Sequence, residues 1–240
     1  MIACCSDFNR QVMARLTPGA YAGRPLRLFG RQCVPQLRSL LPLACVLLGF
    51  CSQTACADAT IVIIRHGEKP PQGLGQLNCQ GLNRALALAP LLISRYGTPV
   101  ALYASNPAVK KSDHGVPFAY IRPLATIEPL AIRVGLPVTL DWSMSEIAPL
   151  AQQLLQGPGG TQVVAWEHHW AEALARRLLS ELGADARVVP HWDDGDFDSV
   201  YLVRISASAA GLRQAQFAHE QQGLDGMSTR CTDGPTRSLP

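Results

Sequence analysis

The sequence predicts an α/β fold: a three-layer sandwich with a mainly parallel central sheet and helices on both faces. Three observations carry that expectation. Thr60-Ile61-Val62-Ile63-Ile64 and Gln162-Val163-Val164-Ala165-Trp166 are short apolar runs of the kind that become strands buried on both faces. Helix-length amphipathic stretches alternate with such runs, which is the β-α-β-α order of parallel sheets with crossover connections. The sequence carries no internal repeat and no low-complexity segment that would suggest a different architecture.

At 240 residues the chain is long enough for one such domain preceded by a leader. The two parts divide at residue 57. Residues 1–57 hold Arg10, Arg15, Arg24, Arg27, Arg31 and Arg38 against the single acid Asp7, so they account for the overall charge of +3. Residues 58–240 carry 15 basic and 17 acidic side chains, a formal charge of −2. That balance gives the domain no overall electrostatic reason to bind nucleic acid or an anionic membrane. Within the leader, Leu40 to Phe50 is an apolar run preceded by Arg31 and Arg38 and followed by Ala55-Cys56-Ala57. This is the order of a secretory signal with cleavage after Ala57. The run is short for a membrane span, which needs about 20 apolar residues. A lipoprotein-type cut before Cys51 or Cys56 fits poorly beside Phe50 and Gln53, and an uncleaved anchor is the alternative. Either way the domain is expected outside the cytosol, periplasmic or secreted.

The elements follow in order. After the first strand, Pro70 to Leu77 is rich in breakers and reads as a loop. Asn78 to Tyr96 reads as a helix with Leu82, Leu86, Ala89 and Leu92 or Ile93 on one face. Pro99 to Ala104 is a second strand, and Asn106 to Tyr120 reads as a loop exposing Lys110, Lys111, Asp113 and His114. Arg122 to Val134 is a helix, with Leu124, Ile127, Leu130, Ala131 and Val134 at helical spacing. Pro123 suits its first turn, whereas Pro129 is expected to bend or shorten it. Leu136 to Leu140 is a short strand, and Glu146 to Leu155 a helix that Pro149 interrupts early. The strand ending at Trp166 leads into a helix over Ala171 to Leu182. Val200 to Ile205 is expected to be the last strand, Gly211 to Gly226 a short helix, and Thr232 to Pro240 a poorly ordered tail.

The chemistry is concentrated where the first strand ends, at Arg65-His66-Gly67-Glu68. Ligands of open α/β sheets bind at the carboxyl ends of strands. A guanidinium grips phosphate through a planar fork of donors, and a neutral imidazole beside it can attack phosphorus. Gly67 suits a tight backbone turn beneath the ligand. The alternative is a surface loop with a solvated Arg-His pair.

Arg-His-Gly-Glu after an apolar strand resembles the signature of the histidine phosphatase superfamily, the phosphoglycerate-mutase-like proteins. The resemblance covers most of residues 60–205 and implies the corresponding three-layer fold. It implies a second phosphate-binding arginine at a helix start after the second strand, with a threonine four residues on, a pattern matched by Arg122 and Thr126. The helix N-terminus would favour the anion further. Ser105 matches the family's serine, but it stands 17 residues before Arg122, so Asn106 to Tyr120 looks like an insertion. Trp166-Glu167-His168-His169 resembles a subset of the superfamily in which a strand ends in the second histidine. His168 aligns better than His169, and the usual following glycine is missing.

What the resemblance implies is a two-step phosphoryl transfer. His66 attacks phosphorus and becomes phosphohistidine, Arg65, Arg122 and His168 hold the phosphoryl oxygens, and water then releases phosphate. No metal or other cofactor is implied. A leaving alkoxide needs a proton; the resemblance points to Glu146, with Glu167 and then Glu68 as the other candidates. A small phosphorylated substrate is therefore expected, hydrolysed by a phosphomonoesterase. A mutase is disfavoured by the outward-directing leader. The reading from a different class is a binding protein of the same fold that holds a phosphorylated ligand without turnover.

Two features stand apart. His191-Trp192-Asp193-Asp194-Gly195-Asp196-Phe197-Asp198 offers oxygen and imidazole groups but lacks the spacing of a calcium loop, and reads as a turn before a strand. Asp196 to Tyr201 resembles the strand entry of the same subset, where an aspartate braces the site. Six of the eight cysteines lie in the leader, leaving Cys79 and Cys231 to pair in an oxidising compartment or to remain free thiols. Neither belongs to a zinc-like cluster.

Overall fold

The computed structural model describes residues 58–207 and 212–231. The expected leader with its expected cleavage after Ala57, and the Thr232–Pro240 tail, lie outside the described residues. The elements in chain order are β1 (Ala59–Arg65), α1 (Cys79–Tyr96), β2 (Ala101–Ala104), β3 (Lys110–Asp113), β4 (Val116–Ala119), α2 (Arg122–Val134), β5 (Val138–Thr139), α3 (Ile147–Gln156), β6 (Gly160–Trp166), α4 (His168–Glu181), β7 (Ser199–Ala207) and β8 (Arg213–Gln221). The main sheet has the order β5-β2-β6-β1-β7-β8. β5, β2, β6 and β1 run parallel, whereas β7 is antiparallel to β1 and β8 to β7.

Alternation along β1 explains the three layers. Ile61 and Ile63 point into a core with Leu150 and Leu154 of α3 and Leu174 and Leu178 of α4. Val62 and Ile64 point to the opposite face, into a core with Leu88 and Leu92 of α1 and Ile127 and Leu130 of α2. Period-two side chains on a strand buried on both sides produce this division. The consequence for function is positional. β2, β6 and β1 are neighbours, with Arg65 paired to Trp166 and Ala104 to Ala165. Their carboxyl ends therefore bring Ser105, Glu167-His168 and His66 to one edge of the sheet.

Several elements differ from the sequence expectation. The segment Asn106 to Tyr120 is no simple loop but contains the β3–β4 hairpin. Its turn residues His114 and Gly115 have φ of 50° and 83°, the left-handed pair of a type I′ turn. Asp113, expected to be exposed, is buried: it accepts from Gly75 N at 2.9 Å and pairs with Arg122 at 2.8 Å. The short helix expected over Gly211 to Gly226 is instead the edge strand β8, so Val200 to Ile205 is not the last strand. β8 is mostly polar because only one of its edges is paired and only alternate residues such as Ala215 and Phe217 pack inward.

Pro129 does not shorten α2, and Pro149 falls in the first turn of α3 without breaking it. Burial of Leu130 and Ala131 against the sheet keeps α2 continuous past the missing donor. The buried face of α1 is rotated from the one expected. Leu82 and Leu86 are 40% and 49% exposed, while Arg84, Ala85, Leu88 and Leu92 face inward.

Arg84 can occupy that face because it is fully neutralised. Its guanidinium meets Glu68 at 2.7 Å, Asp198 at 2.9 Å and Asp225 at 3.1 Å, and donates to Gln222 Oε1 at 2.8 Å. The neighbouring Asn83 side chain donates to the carbonyls of Ser228 and Arg230, each at 2.8 Å. Cys79 is joined to Cys231 by a disulfide, with their Cα atoms 4.6 Å apart. The C-terminal segment is thus tied to the start of α1, beside the loop that carries His66. The bond is consistent with an oxidising compartment. It links residues 152 apart, for which chain entropy alone gives about 5 kcal/mol and measured disulfides typically about 2–4 kcal/mol. Replacing both cysteines with serine is expected to lower the urea-unfolding free energy by about 2–4 kcal/mol. Coincident unfolding curves would contradict a stabilising role.

Candidate active site

Arg65 ends β1, and its guanidinium turns toward the loop before β7. Nη1 donates to the carbonyls of Asp194 at 2.7 Å, Asp196 at 2.8 Å and Asp193 at 3.3 Å. The Phe197 ring lies 3.9 Å beneath the guanidinium carbon. Nε is buried and has no hydrogen-bond partner in the protein. The acidic 193–198 stretch is therefore a cradle for a guanidinium, through main-chain oxygens.

His66 is buried, and its backbone N–H donates to Trp166 O at 3.0 Å, extending the β1–β6 pairing by one residue. Its Nδ1 lies 2.7 Å from Gly67 O. Because a carbonyl can only accept, the hydrogen belongs on Nδ1 and the Nε2 lone pair is left available. Burial holds the imidazole pKa well below its usual value, and the cations of Arg122, Arg65 and Lys111 reinforce the effect. His66 is accordingly a neutral base with one nitrogen committed and one free. The adjacent Gly67 does not require a positive φ. Its requirement is space: a Cβ there would lie 2.8 Å from Gly81 O, and one on Gly81 would lie 2.3 Å from Glu68 O. Two glycines let the His66 loop press directly onto the first turn of α1.

Arg122 opens α2 and is fully buried. It meets Asp113 end-on, through Nη1 at 2.8 Å and Nη2 at 3.3 Å, and Nη1 also donates to Gly73 O at 3.2 Å. Its Nε, like that of Arg65, is buried without a partner. Tyr120 packs between the two parts, its ring 4.8 Å from the Arg122 guanidinium and 5.9 Å from the His66 ring. The Tyr120 hydroxyl stands near Arg122 without hydrogen-bond geometry, and burial raises its pKa far above the phenol range. Thr126 accepts from Gly67 N at 2.9 Å and donates to Arg122 O at 2.8 Å. Its hydroxyl hydrogen is thereby committed, so Thr126 ties the His66 loop to α2. Ser105 is buried at the end of β2 with its hydroxyl unpartnered.

His168 is the first residue of α4 and Glu167 caps that helix, accepting from Trp170 N at 3.2 Å. His168 Nε2 lies 2.7 Å from Asp194 Oδ1 and Nδ1 lies 3.2 Å from Glu167 Oε1. Of the two histidines, His168 is the buried one. His169 turns outward, its ring 4.0 Å from that of His168 and its Nε2 3.5 Å from Asp194. Lys111 reaches from β3 to Glu167 at 3.2 Å. Burial alone would favour a neutral Glu167, but His168 and Lys111 outweigh it and hold the carboxyl well below its usual range.

No protein-family model matches the sequence, and a comparison with curated proteins gives no match. Among solved structures, the chain is similar to a Nakamurella multipartitia protein assigned as phosphohistidine phosphatase SixA. The identity is 14% with a TM-score of 0.43, over 69% of this chain and 96% of that one. It is also similar to phosphoglycerate mutase from Plasmodium falciparum, at 14% identity and a TM-score of 0.45, over 69% of this chain and 92% of that one.

The side chains brought together are thus Arg65, His66, Arg122, Glu167 and His168, joined by three that sequence reasoning did not place there: Asp113, Tyr120 and Phe197. Lys111, expected to be exposed on a loop, joins them as the partner of Glu167. His114-Gly115 is the one local signal of the hairpin, since both residues tolerate the positive φ that a type I′ turn requires. Glu146 is not among them. It precedes α3 at the surface without a capping hydrogen bond, its side chain accepting instead from Ser143 N at 2.8 Å, and among the described residues no hydrogen bond or ion pair links it to the cluster. Glu68 is engaged with Arg84.

Glu167, His168 and His169 have ligand-type atoms within 4.8 Å of one another, the one such group among the described residues. The surroundings weigh against a cation there. The positive end of α4, Arg65 and Lys111 all lie alongside. His168 Nε2 is already engaged by Asp194 Oδ1 at 2.7 Å.

Proposed function

We propose that this chain is a phosphomonoester hydrolase that works through a phosphohistidine intermediate on His66. One observation carries the reading: a buried neutral imidazole with a free Nε2 lies beside two buried guanidiniums, each with an unsatisfied Nε–H. Unpaired buried donors are costly, and a tetrahedral oxyanion satisfies several at once. Arg65 and Arg122 would bind the phosphoryl oxygens, with His168 Nε2 and Ser105 at the rim. Fixed cations around the phosphoryl group stabilise the charge that spreads over its oxygens in the transition state. The substrate would be a small phosphorylated molecule met outside the cytosol, after export directed by the leader and cleavage following Ala57.

A second reading, a phospho-ligand-binding protein without turnover, is favoured by one observation: none of Glu146, Glu167 and Glu68 is placed as a free acid. Hydrolysis of para-nitrophenyl phosphate separates the two. Under the hydrolase reading the wild type turns over and His66→Ala loses the activity. Because His66 stays neutral below the ordinary histidine pKa, the rate should persist as the pH falls through 6.5 rather than drop there. An equal, negligible rate in both proteins would favour the binder.

A further inference from the structure

A leaving alkoxide requires a proton, and the carboxylates suggested by the sequence are engaged elsewhere. We propose that Asp194 is the acid that protonates the leaving group, an inference that rests on the hydrolase reading. Its main chain is fixed to the site, because its carbonyl accepts from Arg65 Nη1 at 2.7 Å. Its carboxylate is free of main-chain donors and meets only imidazoles, His168 Nε2 at 2.7 Å and His169 Nε2 at 3.5 Å. The side chain is 85% exposed, so solvent and an arriving ligand can reach it. Its neighbour Asp196 is instead occupied by Asp198 N, Ser199 N and the Ser199 hydroxyl. Asp193 contributes only its carbonyl to Arg65.

The hydrogen bond to His168 now holds the Asp194 carboxyl below its usual range, aided by His169 and Arg65. A phosphoryl group that takes His168 Nε2 displaces Asp194 from it. The carboxylate then loses an imidazole and gains an anion as neighbour, and both changes favour the protonated form. In the first step the His66 Nε2 lone pair forms the N–P bond while the P–O bond breaks. The electron pair goes to the bridging oxygen, which takes the Asp194 proton and leaves as an alcohol. In the second step water attacks phosphorus and gives its proton to Asp194. The N–P electrons return to Nε2, and phosphate and the carboxylic acid are regenerated.

The test is leaving-group dependence in Asp194→Asn. Nitrophenolate leaves without a proton, whereas the alkoxide of glycerol 2-phosphate does not. A positioned acid contributes about 10²–10⁴-fold. Because kcat/KM reports only the steps up to the phosphohistidine, before water needs Asp194, the variant should lose about that factor in kcat/KM on glycerol 2-phosphate and stay within a few-fold of wild type in kcat/KM on para-nitrophenyl phosphate. That second rate also reports an intact fold. Equal losses on both substrates, or none on either, would overturn the assignment while leaving the hydrolase reading standing. No turnover of either substrate by the wild type would overturn both.

Discussion

Arg65→Met should lower kcat/KM for para-nitrophenyl phosphate by about 10³-fold or more. An arginine that meets transition-state charge on a phosphoryl group contributes about 10³–10⁵-fold, the role proposed for Arg65. Three carbonyls hold Nη1 in place and Phe197 supports the flat face, so the guanidinium is positioned before any ligand arrives. Preorganisation of this kind avoids rearrangement during the reaction. The methionine would also leave the Asp194 carbonyl without its donor, whereas Asp193 O keeps the Asp196 N–H and Asp196 O keeps Trp192 Nε1. Arg65→Lys keeps a charge but not the fork, and its loss should be smaller than that of the methionine variant. Steady-state kinetics on the three proteins checks the order. A loss under tenfold for methionine would place the phosphoryl group away from this guanidinium.

Arg84→Met should cost about 3–5 kcal/mol in unfolding free energy, the range for removing one partner of a buried ion pair. The guanidinium is completely buried, and without it Glu68 and Asp198 would remain as enclosed carboxylates with no cation. The cost reaches the active site because Glu68 lies two residues from His66 and Asp198 one residue from Phe197. Activity should therefore fall as well, although Arg84 touches no reacting atom. Adding Glu68→Gln to Arg84→Met should restore part of the stability, since a neutral amide is cheaper to enclose than an unpaired carboxylate. Urea denaturation followed by tryptophan fluorescence measures both steps. A change below 1 kcal/mol would mean that the buried charges are solvated in some other way.

The readable parts of this chain were those where local pattern and tertiary role agree. β1 and β6 are unbroken apolar runs because both their faces are covered, and the groups that follow them necessarily meet, since the strands are neighbours. Arg122 was legible as a helix start followed by Thr126, and both converge on the His66 loop. What escaped has a common cause, namely polar residues whose partners lie far away in sequence. Arg84 on α1 carries no local sign of burial, because Asp198 and Gln222, which enclose it, are 114 and 138 residues distant. That charge inside the helix face is why Leu82 and Leu86 misled the assignment of its apolar side. Asp113 likewise looked exposed until Arg122 and Gly75 closed on it. β8 has too few apolar residues to show as a strand, because its outer edge needs no cover.

His66 is proposed to carry the phosphoryl group between substrate and water. Rapid quenching of the wild type during turnover of a ³²P-labelled phosphomonoester, followed by mapping of the labelled peptide, tests it directly. A transient acid-labile, base-stable label on His66, absent from His66→Ala, is the expected result. Turnover with no labelled histidine, or a label that persists in His66→Ala, would contradict it.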